Sequence, residues 1–142
     1  MKLLSLLTVS VFFSLVANAQ TGKVIVGKWF NEEKDGKVEI YERGNKYYGK
    51  LIWMKDQFEP DGKTLRKDSK NKDTKLRSRT LLNTVILNDF VYEDGKWIGG
   101  EVYDPKSGKT YSSEMKLKGE KLEIRGYVGN PMFGQTSVFT RE

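Results

Sequence analysis

Residues 109–128 read Lys-Thr-Tyr-Ser-Ser-Glu-Met-Lys-Leu-Lys-Gly-Glu-Lys-Leu-Glu-Ile-Arg-Gly-Tyr-Val. Tyr111, Met115 and Leu117 fall on one face, with Lys116 and Lys118 on the other. After Gly119-Glu120, Leu122, Ile124 and Val128 share a face opposite Glu123, Arg125 and Tyr127. A period of two, reversed at a glycine-containing pair, describes two half-buried strands joined by a tight turn. The same rhythm extends in both directions. Asp35-Gly36, Gly44-Asn45, Asp61-Gly62, Asp94-Gly95 and Ser107-Gly108 punctuate β-type segments, and such pairs supply the positive φ that hairpin turns need. The segments predict strands at 24–30, 37–42, 46–54, 84–92, 97–103, 109–118, 122–128 and 135–141.

Eight short antiparallel strands make a sandwich or a closed barrel, and closure removes the exposed edges that invite aggregation. Gly49, Gly99, Gly100 and Gly126 inside strands suit the bends of a small barrel. An all-β, eight-stranded antiparallel barrel is therefore expected. Its interior would be filled by side chains or hold one small ligand. Residues 55–79 are polar, rich in Lys and Asp, and without apolar periodicity, a long connection for so small a domain. A short helix at 75–82 is the best place for one.

The N-terminus sets the expected compartment. Lys2 precedes an apolar run from Leu3 to Val16, and Ala17-Asn18-Ala19 follows. This is the pattern of a secretory signal peptide over residues 1–19, removed to leave Gln20 first. The run is short for a membrane span. Residues 20–142 then form one domain of 123 residues (142 less 19), large enough to bury a core. The protein is expected to be exported, periplasmic or secreted, and not membrane-spanning.

Cysteine and histidine are both absent. That excludes disulfides, thiolate metal sites and thiol nucleophiles, and removes the commonest general base. No metal or cofactor site is expected. The net charge is +6, or +5 without Lys2. An exported protein rarely meets nucleic acid, so none is expected as a partner. The densest basic stretch, Lys63, Arg66, Lys67, Lys70, Lys72, Lys75, Arg77 and Arg79, is a solvated loop or a surface for an anionic or acidic partner. Glu101 and Asp104 have opposite strand parity, so they do not face one another as a hydrolytic pair would. Asp61, Asp68, Asn71 and Asp73 lack the spacing of a calcium loop.

Three groups of residues stand out. Gly27-Lys28-Trp29 resembles the G-x-W signature of lipocalins, in which the Trp plugs one end of the barrel and a late-strand Arg packs across it; Arg141 is the first candidate partner and Arg125 the second. Trp29, Trp53 and Trp97 with Tyr48, Tyr103 and Tyr111 either line a pocket or form the core. Arg125-Gly126-Tyr127 offers a bidentate cation and a hydroxyl, for a ligand or for a structural ion pair with Asp104. Asp104-Pro105 reads as a turn that caps its own backbone.

A wider resemblance spans nearly the whole mature chain. Its motifs are Gly27-Lys28-Trp29, Val38-Glu39-Ile40-Tyr41, Tyr48-Gly49-Lys50-Leu51-Ile52-Trp53, Asp68-x-x-Asn71 and Leu76-Arg77-x-Arg79. They continue with Gly95-Lys96-Trp97-x-Gly99-Gly100-x-Val102-Tyr103-Asp104-Pro105, Gly108-Lys109-x-Tyr111 and Leu122-x-Ile124-Arg125-Gly126-Tyr127-x-Gly129. Phe133-Gly134-x-Thr136 and Thr140-Arg141 close the set. In that order they resemble the bacterial family called domain of unknown function twenty-one forty-seven, a set of small exported proteins. The resemblance implies a lipocalin-like barrel and an envelope location, and no established activity. Lys72 stands where the family usually has Pro, and Asn83 where it usually has Gly.

These observations favour binding over catalysis. One expectation is a small apolar or amphipathic ligand held in the barrel, with Trp29, Trp53 and Tyr111 as wall and Arg125 with Tyr127 as polar contact. The alternative is an envelope protein partner docked on an outer face or on the basic loop 55–80, with no internal ligand. For compartment, the expected outcome is an envelope species beginning at Gln20; intact-mass analysis of protein from the producing cells checks it, and a mature species retaining Met1 overturns it.

Overall fold

The structure, a computed structural model, describes residues 21–142; the signal-peptide expectation lies outside the described residues. Eight strands run in chain order: β1 (Gly27–Phe30), β2 (Gly36–Arg43), β3 (Lys46–Met54), β4 (Val85–Glu93), β5 (Lys96–Asp104), β6 (Lys109–Lys118), β7 (Lys121–Tyr127) and β8 (Gln135–Arg141). Each pairs antiparallel with its neighbours, and β8 returns to β1 to close the barrel. The expected hairpin turns fall between strands, except Asp61-Gly62. That pair turns a small ribbon inside the long β3–β4 connection, where Phe58 bridges Leu65.

Alternation places the core. Trp29 pairs with Val38, Met115 with Ile124, and Leu122 with Phe139. Trp29, Ile40, Leu87, Phe90, Trp97, Met115 and Leu122 are all essentially inaccessible to solvent. Strand glycines mark where these side chains cross the lumen. A Cβ at Gly100 would lie 2.5 Å from the Phe90 ring, and one at Gly49 would lie 2.7 Å from Leu87. Small residues on one strand thus make room for large ones on the next, which is how interiors reach close packing.

One end of the barrel is sealed by a 3-10 turn, Gly22–Ile25. Trp97 Nε1 donates to Gly22 O at 3.1 Å and Trp29 Nε1 to Ile25 O at 2.8 Å. Arg141 lies 4.2 Å from the centre of the Trp29 ring and donates to Val24 O and Val26 O. Gly27 is where that guanidinium passes, since a Cβ there would stand 2.9 Å from Nη1.

Three sequence expectations are corrected. The first strand begins at Gly27, not residue 24, because residues 22–25 turn inward to satisfy the two indole N–H groups. No helix fills 75–82; only Thr74–Leu76 forms a 3-10 turn, and Thr80 then bridges Lys67 in extended form. Val128 does not share the buried face of Leu122 and Ile124, for β7 ends at Tyr127 and Val128 is 77% exposed.

Trp29→Ala should cost about 3–5 kcal/mol, the range for truncating a fully buried aromatic that cannot collapse its cavity. A denaturant midpoint that hardly moves would show that the plug is dispensable.

Candidate functional site

Antiparallel order puts four connections at the end opposite the plug: residues 31–35, 55–84, 105–108 and 128–134. This mouth is strapped across. Lys106 Nζ pairs with Asp35 at 3.0 Å, and Lys70 Nζ donates to Lys106 O at 2.8 Å. Asn31 and then the Lys106 ammonium hold the Asp35 carboxyl below the usual carboxylate range, while Asp35 raises Lys106.

Connection 55–84 is built rather than loose. Asp61 accepts from Lys63 N and Thr64 N, fixing the turn of the small ribbon. Asp68 N donates to Arg79 O and Leu81 N to Arg66 O, so a second ribbon follows. Its keystone is Asp68, whose carboxylate is completely buried. One oxygen accepts from the Tyr103 hydroxyl. The other accepts from Asn71 Nδ2 at 2.8 Å and from Arg79 Nε and Nη2 at 2.9 Å. A buried carboxylate is tolerable only when its lone pairs are used in this way.

Tyr103 reaches this loop because it points away from the lumen. Leu87 and Val102 are an inward pair, so their neighbours Asn88 and Glu101 pair on the outer face, as do Tyr103 and Thr110. Two close approaches hold the loop down. Gly108, at φ 71°, has Lys70 O where a Cβ would be. Asn83, at φ 66°, takes the left-handed conformation for which Gly and then Asn are best suited, and hands the chain to β4 by donating from its N–H to Leu51 O.

Between loop and barrel lies a groove of about 910 Å³. Asn88, Glu101, Tyr103 and Thr110 line it from the strands; Lys72, Leu76 and Arg79 from the loop; Leu82, Asn83 and Val85 from the return to β4. Among the described residues, the side chains of Asn88, Glu101 and Thr110 have no hydrogen-bond partner. Hydrogen-bonding capacity thus faces a concavity that also carries exposed apolar surface at Leu76.

The residues singled out from sequence do not converge. Trp29 is sealed inside as the plug. Trp53 is not a wall residue: the irregularity between Lys37 and Val38 shifts the β2–β3 register by one, flipping Trp53 outward against Phe30. Tyr111 does face the lumen, half-buried beside Val102 at the mouth. Arg125 and Tyr127 lie on the outer face of β7, opposite Ile124. Arg125 makes no pair with Asp104; it donates to Pro131 O at 2.6 Å, Thr136 Oγ1 at 2.8 Å and Met132 O, spending its fork on connection 128–134 and the start of β8. Asp104 accepts from Lys106 N, and Pro105 follows it in the β5–β6 turn. The groove residues Asn88, Glu101 and Thr110 were missed, since each reads as ordinary solvent-face polarity. The available signal was apolar runs on both faces: Val85-Ile86-Leu87, and Val102-Tyr103. An outer face that carries Val85 and a buried Tyr103 must be covered by something.

A closed eight-stranded meander with a Trp plug, a crossing Arg and a long connection at the mouth is a lipocalin-like barrel. The chain belongs to the family described as uncharacterized protein conserved in bacteria (DUF2147), whose model matches residues 27–141. It is similar to the solved structure of protein HP1028 from the human pathogen Helicobacter pylori, described as belonging to the lipocalin family. The TM-score is 0.70, with 27% identity over 82% of each chain. No curated protein matches.

Burial first, and then the hydrogen bond and charge of Asp68, push the Tyr103 hydroxyl up to about 12, against an opposing Arg79. An unfolded tyrosine ionises near 10.0, so the folded state keeps a proton that the unfolded chain has lost. The contribution is complete below pH 10 and declines as pH rises from about 10 to about 12. Denaturant midpoints should fall through that window in the native chain and fall less in Tyr103→Phe; parallel curves would show that the network is not coupled to folding.

Proposed function

We propose that this chain is an exported binding protein that takes a small amphipathic ligand in the groove under connection 55–84. The observation that carries the reading is the set of unpartnered side chains, Asn88, Glu101 and Thr110, around a concavity with apolar Leu76, Leu82 and Val85. Ligand sites combine such apolar surface with a few placed polar groups. The filled lumen supports the same reading from the other side. Phe90, Trp97, Met115 and Leu87 occupy the space a carrier would leave for its cargo. The groove wall is held in place before any ligand arrives, because Asp68 ties the loop to Tyr103, and preorganisation lowers the cost of binding. The signal-like N-terminus supports export.

A ligand inside the barrel is the second reading. It is favoured by Tyr111, which faces the lumen half-buried beneath the Asp35–Lys106 strap.

Native mass spectrometry of protein purified from its own envelope tests both. The groove reading expects a bound small molecule that is lost in Glu101→Lys and Asn88→Trp and retained in Tyr111→Ala. The opposite pattern moves the site into the barrel. An envelope protein retained in place of any small molecule overturns both in favour of a docking module.

A further inference from the structure

Connection 128–134 presents large apolar side chains to water. Val128, Met132 and Phe133 are 77%, 76% and 80% exposed within six residues. The segment holds them there firmly. Three hydrogen bonds from Arg125 fix Pro131, Met132 and Thr136. Asn130 Oδ1 accepts from Met132 N, and a Cβ at Gly134 would strike Gly126 O at 2.5 Å. A backbone so constrained gives these side chains no route back into the core, and nothing in the turn's geometry requires Phe or Met at its tip.

The charge around this tip is uneven. On one flank, past turn 105–108, connection 55–84 carries nine Lys or Arg against five Asp or Glu, and Asp68 among the five is buried against Arg79. Exposed Lys67, Lys72, Lys75 and Lys109 have no acidic partner among the described residues. On the other flank, connection 31–35 carries exposed Glu32 and Glu33, with Glu32 accepting weakly from Val138 N. An apolar tip that shares the barrel's mouth with a basic field is the pairing that binds an anionic lipid surface: the tip enters the headgroup boundary and the cations meet phosphate. A second copy of the chain would bring the same excess of Lys to face itself.

We propose that the mouth of the barrel docks on an anionic lipid surface, with Val128, Met132 and Phe133 inserted and the molecule tilted toward connection 55–84. The proposal stands apart from the groove reading, since it uses neither Asn88 nor Glu101.

The test is flotation with vesicles of phosphatidylglycerol and phosphatidylethanolamine against vesicles of phosphatidylcholine. Protein as purified from the producing cells should float with the anionic vesicles only, and release as salt rises and screens the attraction. The double variant Met132→Ser, Phe133→Ser alters only exposed side chains and should keep its circular dichroism spectrum while partitioning falls roughly ten-fold or more. Lys67→Glu with Lys75→Glu, both outside the groove lining, should weaken binding at low salt and change little at high salt. Equal flotation with both lipids, or partitioning unchanged in the double variant, overturns the proposal. So does a concentration-dependent dimer that the double variant abolishes, which would assign the tip to a second copy.

Discussion

Closure of the barrel rests on one cation. Strand β1 has four residues and meets β8 at only two positions, Trp29 with Arg141 and Phe30 with Thr140. So short a ladder is a weak seam, and an open seam is an exposed edge. Arg141 reinforces it in three ways. Its guanidinium covers the Trp29 ring, caps carbonyls of the 22–26 segment, and occupies the space that Gly27 leaves free. The planar fork of Arg permits stacking and two-directional donation together, which the point charge of Lys does not. The plug in turn positions Val38 and Ile40 across from it, and the lumen fills outward from there.

The strands were legible because two independent signals agreed: period-two burial and turn pairs that demand positive φ. Three of the eight strands, 46–54, 109–118 and 135–141, start and end where the alternation says they do, and all eight end on the expected limit or within one residue of it. The misreadings share a cause. Each lies where a tertiary demand breaks the local period. Two indole N–H groups draw residues 22–25 into a 3-10 turn, although Val24-Ile25-Val26 reads as strand. A one-residue slip against β2 turns Trp53 outward. Trp97 lies 75 residues from Gly22 and the slip is set by another strand, so neither demand is visible in a local period-two pattern.

The site was less legible than the fold for a related reason. Asp68 and Tyr103 are 35 residues apart, and their bond decides which polar side chains of β4–β6 lie under cover and which face open solvent. Before that bond is known, Asn88 and Glu101 are a routine outer-face pair. Arg125 shows the reverse. Its motif is conspicuous, yet its donors are used up on two carbonyls of 128–134 and the Thr136 hydroxyl of β8, and the conspicuous feature is architectural.

The two halves of the molecule are held by different physics. The barrel is stabilised by apolar burial among Trp29, Phe90, Trp97, Leu122 and their neighbours. Connection 55–84 contributes little to that core and is pinned instead by a buried carboxylate and its four donor atoms. Such a network is strong when complete and costly when any member is lost. The groove therefore has one wall made by the strands and one made by a loop that the Asp68 network holds in place. A ligand bound between them would add its own contacts to the folded state and stabilise it by mass action, and the barrel would remain unchanged beneath.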